Sequence, residues 1–167
     1  MRAPMTRLAA VCFFVLAAAC GKEIGDECTS SLDCGDGTDV NRVCDLSSPG
    51  GYCTEQGCDY NTCAEEAVCV RFYTASFENR PCVIETEDIS TADCSIDEVC
   101  TLRGQCVPRS SEVRYCMRTC GGSDDCRTNY ECRDEALMRA HGGEPVPKPG
   151  ERLPDDLQAF CAAAPEV

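Results

Sequence analysis

The chain reads as a small disulfide-rich fold: two tandem eight-cysteine modules of short β-hairpins and loops, with short helices near the C-terminus. Three observations carry this. Cysteine supplies 18 of the 167 residues, above the level of about 8–10% that marks a disulfide scaffold in a short secreted chain. Sixteen of them form two ladders, one from Cys28 to Cys82 and one from Cys94 to Cys161. Aromatic residues make up only 6% of the chain and tryptophan is absent. At this module length a single apolar core is marginal, and small scaffolds of this kind are held by staples.

The ladders repeat. Cys28, Cys34, Cys44, Cys53, Cys58, Cys63, Cys69 and Cys82 are separated by 5, 9, 8, 4, 4, 5 and 12 residues. Cys94, Cys100, Cys106, Cys116, Cys120, Cys126, Cys132 and Cys161 are separated by 5, 5, 9, 3, 5, 5 and 28. The middles align best, Tyr52-Cys53 through Cys69 on Tyr115-Cys116 through Cys132. The expectation is that the two modules share one pairing pattern and that no bond crosses between them. Spacing alone leaves the connectivity open, since eight cysteines allow 105 pairings.

The N-terminus sets the compartment. Arg2 and Arg7 precede a twelve-residue apolar run, Leu8 to Ala19. A helix that spans a bilayer needs about 20 apolar residues, so the run fits the h-region of a secretory signal, residues 1–19. It ends Leu16-Ala17-Ala18-Ala19-Cys20-Gly21, which resembles the bacterial lipobox with Ala17 at the third place before the cysteine. The resemblance implies cleavage before Cys20, a diacylglyceryl thioether on its sulfur and acylation of the new N-terminus. An ordinary Ala-x-Ala cleavage site, with Cys20 as one more disulfide partner, is the alternative. Parity separates them: Cys12 leaves with the signal, and lipidation of Cys20 leaves an even sixteen in two eights. An unpaired thiol in a secreted chain otherwise needs its own explanation. More than one acyl chain makes a stable anchor, because each buried CH2 contributes about 0.8 kcal/mol. Gly21, where Asp would mark retention in the enteric sorting rule, implies the outer membrane.

Loss of Arg2 and Arg7 takes the formal charge from −14 to −16. Phosphate binding needs clustered Lys and Arg, so this balance excludes nucleic acid and excludes holding anionic lipid by charge. Solubility through self-repulsion is one reading of the acidity; a cation-rich partner is the other. Disulfides persist in oxidising compartments, in agreement with the leader.

Along the mature chain, residues 20–27 form a short acidic tether carrying the lipid. In module 1, residues 28–82, Gly35-Asp36-Gly37 and Ser47-Ser48-Pro49-Gly50-Gly51 are turn signals, and Val40, Val43 and Cys44 fit a short strand between them. Ala67 to Ala75 is the clearest strand: Val, Phe, Tyr and Thr favour a pleated surface, and Val68, Val70, Phe72 and Thr74 share one face by alternation. Residues 83–93, with Glu85, Glu87, Asp88 and Asp93 and no basic residue, read as a solvated, extended linker. Module 2 spans 94–161. In its last gap Asp134 to His141 reads as a helix, capped by Asp134 and stopped by Gly142-Gly143. Glu144 to Gly150 has polyproline II character. A second helix is expected from near Pro154 through Asp155 to Ala162, with Cys161 bolting it to the module. Residues 162–167 form a tail.

Few motifs carry chemistry. Zinc modules use C-x2-C spacing, but the tightest pair is Cys116-x3-Cys120 and the single histidine is His141. The same lack argues against thioredoxin-type redox chemistry. Ile24 to Cys28 resembles the start of a calcium-binding EGF module without its spacing, and Asp36 to Asp39 lacks the ligand order of an EF-hand. No metal or cofactor is expected. His141 sits at a helix C-terminus, where a histidine is favourable for structural reasons alone. Glu65-Glu66, Asp124-Asp125 and Asp155-Asp156 are adjacent and face apart, which suits solvation better than an acid/base pair. Arg71, Phe72, Tyr73, Phe77 and Arg80 form the one aromatic and basic cluster of module 1. Such residues anchor binding patches, or else Phe72 and Phe77 are what core the module has.

Cys120 to Cys132, with Asp125 before the middle cysteine, is similar to the C-x5-C-x5-C step of knottin-like, EGF-like and Dickkopf-like extracellular modules, and Asp33-Cys34 repeats the feature. Lipobox and modules together resemble the cysteine-rich lipoproteins of some Gram-negative bacteria. The expected function is a non-enzymatic, lipid-anchored binding or envelope-structural protein with an extracellular or periplasmic protein partner. The alternative is a secreted protease inhibitor whose stapled reactive loop lies in Arg133–Phe160 or Val70–Pro81.

Overall fold

In the computed structural model the described residues are 21–35, 41–74, 80–87, 93–151 and 157–165. Their repeating element is a β-hairpin bolted to the loop before it. Four antiparallel ladders each place two cysteines directly opposite one another. Cys44 faces Cys53 between β1 (Arg42–Asp45) and β2 (Tyr52–Glu55). Cys69 faces Cys116 between β3 (Ala67–Tyr73) and β6 (Glu112–Arg118). Cys100 faces Cys106 between β4 (Glu98–Cys100) and β5 (Cys106–Pro108). Cys132 faces Cys161 between β7 (Tyr130–Arg133) and β9 (Phe160–Ala163).

Facing residues of a ladder point to the same side. Each facing pair therefore reaches back to two cysteines of the preceding loop, and the bonds interlock first to third and second to fourth. Unit I joins Cys28–Cys44 and Cys34–Cys53. Unit II joins Cys58–Cys69 and Cys63–Cys116. Unit III joins Cys82–Cys100 and Cys94–Cys106. Unit IV joins Cys120–Cys132 and Cys126–Cys161.

The small disulfide-rich hairpin fold is thus as the sequence predicts, but its partition is not. Two bonds, Cys63–Cys116 and Cys82–Cys100, join the 28–82 set to the 94–161 set. The cause is topological. β3 finds its partner in β6, across residues 74–111, and all of unit III lies in that connection. The repeat is a block of four cysteines, and its third copy is inserted into the second.

Local chemistry recurs with the cysteines. After the second cysteine of units II, III and IV the same turn leads into the strand: Ala67 N donates to Ala64 O, Glu98 N to Ser95 O and Tyr130 N to Arg127 O, at 2.9–3.0 Å. Before the second cysteine of units I and IV an aspartate closes a one-turn 3-10 segment. Asp33 Oδ2 accepts from the Thr29 and Ser30 amides, and Asp125 Oδ2 from those of Gly121 and Gly122. The Asp-Cys pairs visible in the sequence are these caps.

Unit I shows how tightly a hairpin sits on its loop. Gly51 has φ +71°, and a Cβ there would lie 2.1 Å from the Cys28 carbonyl oxygen. Only glycine takes that conformation at that approach.

The shared core runs through the β3–β6 ladder. Val70, Cys116, Met138, Phe160 and Ile24 are fully or nearly fully buried, and Phe72 lies edge-on to Phe160 with centroids 6.2 Å apart. The strand expected from Ala67 is observed to Tyr73; Ala75 lies outside the described residues. Val43 and Cys44 lie in β1, and Val40 lies outside. The helix expected from Asp134 is α1 (Glu135–His141), with Asp134 Oδ1 accepting from Leu137 N and Gly142 N donating to Met138 O.

Three expectations are corrected. The segment expected as a second C-terminal helix through Ala162 instead enters β9 at Phe160, because Cys161 is held opposite Cys132; Pro154 to Asp156 lie outside the described residues. The described part of the linker is not extended and solvated: Thr86 N donates to Val83 O and Ile84 is buried in the core. Residues 23–26 are not a free tether: Ile24 is buried, Gly25 N donates to Cys53 O, and Cys53 N donates to Asp26 O, both at 2.9 Å. In the proline-rich segment, Glu144–Pro145 form β8, which pairs with β3 at Val70 and Arg71.

Candidate functional site

The aromatic and basic cluster of module 1 is built into the sheet. Arg71 pairs with Glu144 across β3 and β8 at 2.7 Å. Glu144 is buried and also accepts from Leu102 N at 2.9 Å, so one carboxylate ties unit II, unit III and β8 together. A buried carboxylate is tolerable when paired and fully hydrogen-bonded in this way. Phe72 packs between Tyr115 and Phe160. Tyr73 donates to Glu112 at 3.2 Å, and burial, ahead of the neighbouring carboxylates, pushes its hydroxyl far above the ordinary phenol range. Arg80 reaches Glu98 and Ser95 in unit III. Phe77 lies outside the described residues. Phe72 is partly buried and packs against the core.

His141 is likewise held. Its Nδ1 lies 2.7 Å from Glu131 Oε1, the carboxylate that also pairs with Arg133. Arg133 is buried and donates to the carbonyls of Gly142 and Ala163 at 2.9 and 2.8 Å. It thereby satisfies the end of α1, where backbone carbonyls lack helical partners.

A second set of polar contacts joins units I and IV and was not legible in the sequence. Tyr52 and Tyr130 stack with centroids 5.5 Å apart, and the Arg127 guanidinium lies over the Tyr130 ring at 4.5 Å. The Tyr52 hydroxyl donates to Cys161 O and accepts from Arg118 N. Burial pushes it up to about 12. Arg127 Nε is buried and finds no hydrogen-bond acceptor among the described residues; the two rings take its place as partners.

The same contacts brace one exposed loop. Three consecutive carbonyls are held from two parts of the molecule: Pro49 O accepts from Tyr130 and Gly51 O from Arg127, both in unit IV, and Gly50 O accepts from Cys28 N. On the other limb Asp45 accepts from Ser47 N and from the hydroxyls of Ser47 and Ser48. Leu46 projects from this loop, 67% exposed.

Among the described residues an open groove of about 390 Å3 lies beside β3, lined by Tyr60, Ala64, Val68, Pro145, Val146 and Lys148. A smaller one of about 140 Å3 lies between Phe72, Leu102, Met138 and His141. The clusters of three cysteines in the described residues consist of disulfide sulfurs. Cysteine ligates a metal as the thiolate, so these sulfurs are not free to do so while oxidised. Comparison with protein-family models, with curated proteins and with solved structures finds no match.

Proposed function

We propose that the chain is a non-enzymatic, lipid-anchored protein of the bacterial cell envelope, held at the outer membrane through Cys20, that binds a protein partner or serves the envelope structurally. The observation that carries this reading is the pairing of the cysteines. All sixteen from Cys28 onward are in disulfides. Cys20 is then the one cysteine of the mature chain left over, at the place where the lipobox resemblance puts the thioether. Eight disulfides call for an oxidising compartment. Rigid loops between staples present side chains at low ordering cost, and the groove beside β3 is one surface that could receive a partner. The test is the mass of the N-terminal peptide from membranes, expected to begin at Cys20 with acyl groups. Cys20→Ser should move the protein to the soluble fraction. An unmodified Cys20 peptide would contradict the reading.

A second reading, inhibition of an extracytoplasmic protease, is favoured by the braced loop Asp45–Gly51 with Leu46 at its surface. The loops first considered for this role are otherwise occupied where described: Val70–Tyr73 is strand, Glu135–His141 helix and Val146 core. Titration against proteases with apolar primary pockets tests it. Inhibition lost in Leu46→Asp would support it, and no inhibition at micromolar protein would remove it.

A further inference from the structure

The native pairing takes none of the short routes. In chain order each cysteine has a neighbour at hand, yet none of the eight bonds joins two neighbours. Seven bonds skip a single cysteine. Cys63–Cys116 passes over five, from Cys69 to Cys106. Four cysteines pair in three ways. The interlocked way, first to third and second to fourth, is the one without a neighbour bond, and all four units take it.

Arrival order and chain entropy both work against it. An exported chain emerges from its N-terminus, so a thiol meets its neighbours before a distant partner. Cys69 lies six positions beyond Cys63 and Cys116 lies 53 beyond, which for a flexible chain favours the short ring by roughly 25-fold. β6, which must hold Cys116 opposite Cys69, arrives only after all of unit III. Until then Val68, Val70 and Phe72 of β3 lack Met117, Tyr115 and Val113, the residues they face. The early product is a neighbour bond at Cys63 beside an open apolar stripe.

We propose that the chain is a client of a thiol–disulfide isomerase, whose thiolate converts neighbour bonds at Cys63 into Cys63–Cys116. This rests on the envelope location proposed above. There a dithiol oxidase makes the first bonds, taking two electrons from each pair of thiols. Starting from Cys63–Cys69 and Cys58–Cys116, the isomerase thiolate attacks the Cys69 sulfur; that bond breaks, a mixed disulfide forms and Cys63 leaves as thiolate. Cys63 attacks the Cys116 sulfur and releases Cys58. Cys58 then attacks Cys69 in the mixed disulfide and returns the isomerase thiolate. Three exchanges give both native bonds with no net electron transfer. The bacterial periplasm is kept oxidising by enzymes and not by a thiol buffer, so the attacking thiolate comes from a protein. An isomerase with an apolar cleft beside its thiolate fits the open stripe.

The full-length chain is expressed in a bacterial host and in the same host without its envelope disulfide isomerase. It is purified after alkylation of free thiols and mapped without reduction. The first host should yield the Cys63–Cys116 link. In the second that link should be lost, with Cys63 joined to Cys58 or Cys69. An isomerase variant without its resolving cysteine should be trapped as a mixed disulfide with the chain. Trapping should fall with Cys63→Ser and Cys116→Ser together, where Cys58 and Cys69 become neighbours and no bond spans unit III. An equal yield of the Cys63–Cys116 link in both hosts, or no trapping of the wild-type chain, overturns the isomerase requirement alone when the chain is recovered from membranes. Chain recovered from the cytosol with free thiols overturns the envelope location and the requirement with it.

Discussion

The β4–β5 hairpin and the β3–β6 ladder make the same cysteine unit by opposite routes. In β4–β5 the facing pair Cys100 and Cys106 is joined by the tight turn through Gly104. In β3–β6 the facing pair Cys69 and Cys116 is joined through residues 74–111, which hold another complete unit. The bonds need only two strands side by side and a two-cysteine loop before them. They are indifferent to how the strands are connected. What differs is the consequence: unit III is closed by local contacts, whereas unit II carries the shared core and fastens the two halves of the chain.

Cross-link removal should expose this difference first. The Cys63–Cys116 bond spans 53 residues and Cys94–Cys106 spans 12. For loops of these lengths the chain-entropy cost of removal is about 4 and about 3 kcal/mol. The sharper distinction is in extent. Cys63→Ser with Cys116→Ser should lower the urea midpoint of the whole molecule. Cys94→Ser with Cys106→Ser should speed amide exchange mainly at residues 94–108. Equal, global loss in both would erase the contrast.

Glu144→Ala comes next, because it removes the buried ion pair with Arg71 and the acceptor of the Leu102 amide between the two units. Breaking a buried pair costs about 3 kcal/mol or more, and the loss should appear in urea unfolding. The substitution should also loosen unit III from the sheet, seen as faster exchange of the Leu102 amide.

Tyr52→Phe removes the two hydrogen bonds that tie unit I to β6 and β9, at about 1–2 kcal/mol. The wild-type hydroxyl adds a pH signature. Its folded value, about 12, lies above the unfolded value near 10. Its contribution is therefore complete below about pH 10 and is lost as the pH rises through about 12. Stability of the wild type should fall across that window by more than that of Tyr52→Phe.

The smallest effect belongs to the exposed cap. Hydrogen bonds from Thr29 and Ser30 hold the Asp33 carboxyl below the ordinary carboxylate range. A lowered folded value stabilises above the unfolded value and is lost as the pH falls through the folded one. Faster exchange at the Thr29 and Ser30 amides should appear only in acid, and Asp33→Ala should show it at neutral pH.

The sequence was legible wherever the signal was local. Asp33 and Asp125 mark the capped turns, Asp134 and Gly142 bound α1, and Ala67 to Tyr73 alternates as a strand. The alignment of Tyr52-Cys53 through Cys69 with Tyr115-Cys116 through Cys132 is also real. Each stretch starts on the last cysteine of one unit and covers the first three of the next, so the repeat was seen but cut in the wrong phase.

What escaped was pairing at a distance. Val113, Tyr115 and Met117 alternate as do Phe72, Val70 and Val68, which they face, and that match was the one available sign that β3 had a remote partner. Ile24 and Ile84 sit among charged neighbours, so composition read their segments as solvated while packing claimed one side chain from each. Phe160 and Cys161 fit a helical stripe as well as a short strand, and the bond from Cys126 decides for the strand. The Tyr52–Tyr130–Arg127 stack draws on two separate stretches, and no spacing rule joins Tyr52 to the Arg127–Tyr130 turn.

Mapping the disulfides of the oxidised, purified protein tests the inserted-unit architecture most directly. Proteolysis without reduction, followed by mass spectrometry, should give a peptide containing Cys63 linked to one containing Cys116, and one containing Cys82 linked to one containing Cys100. Bonds confined to the 28–82 and 94–161 sets would contradict it.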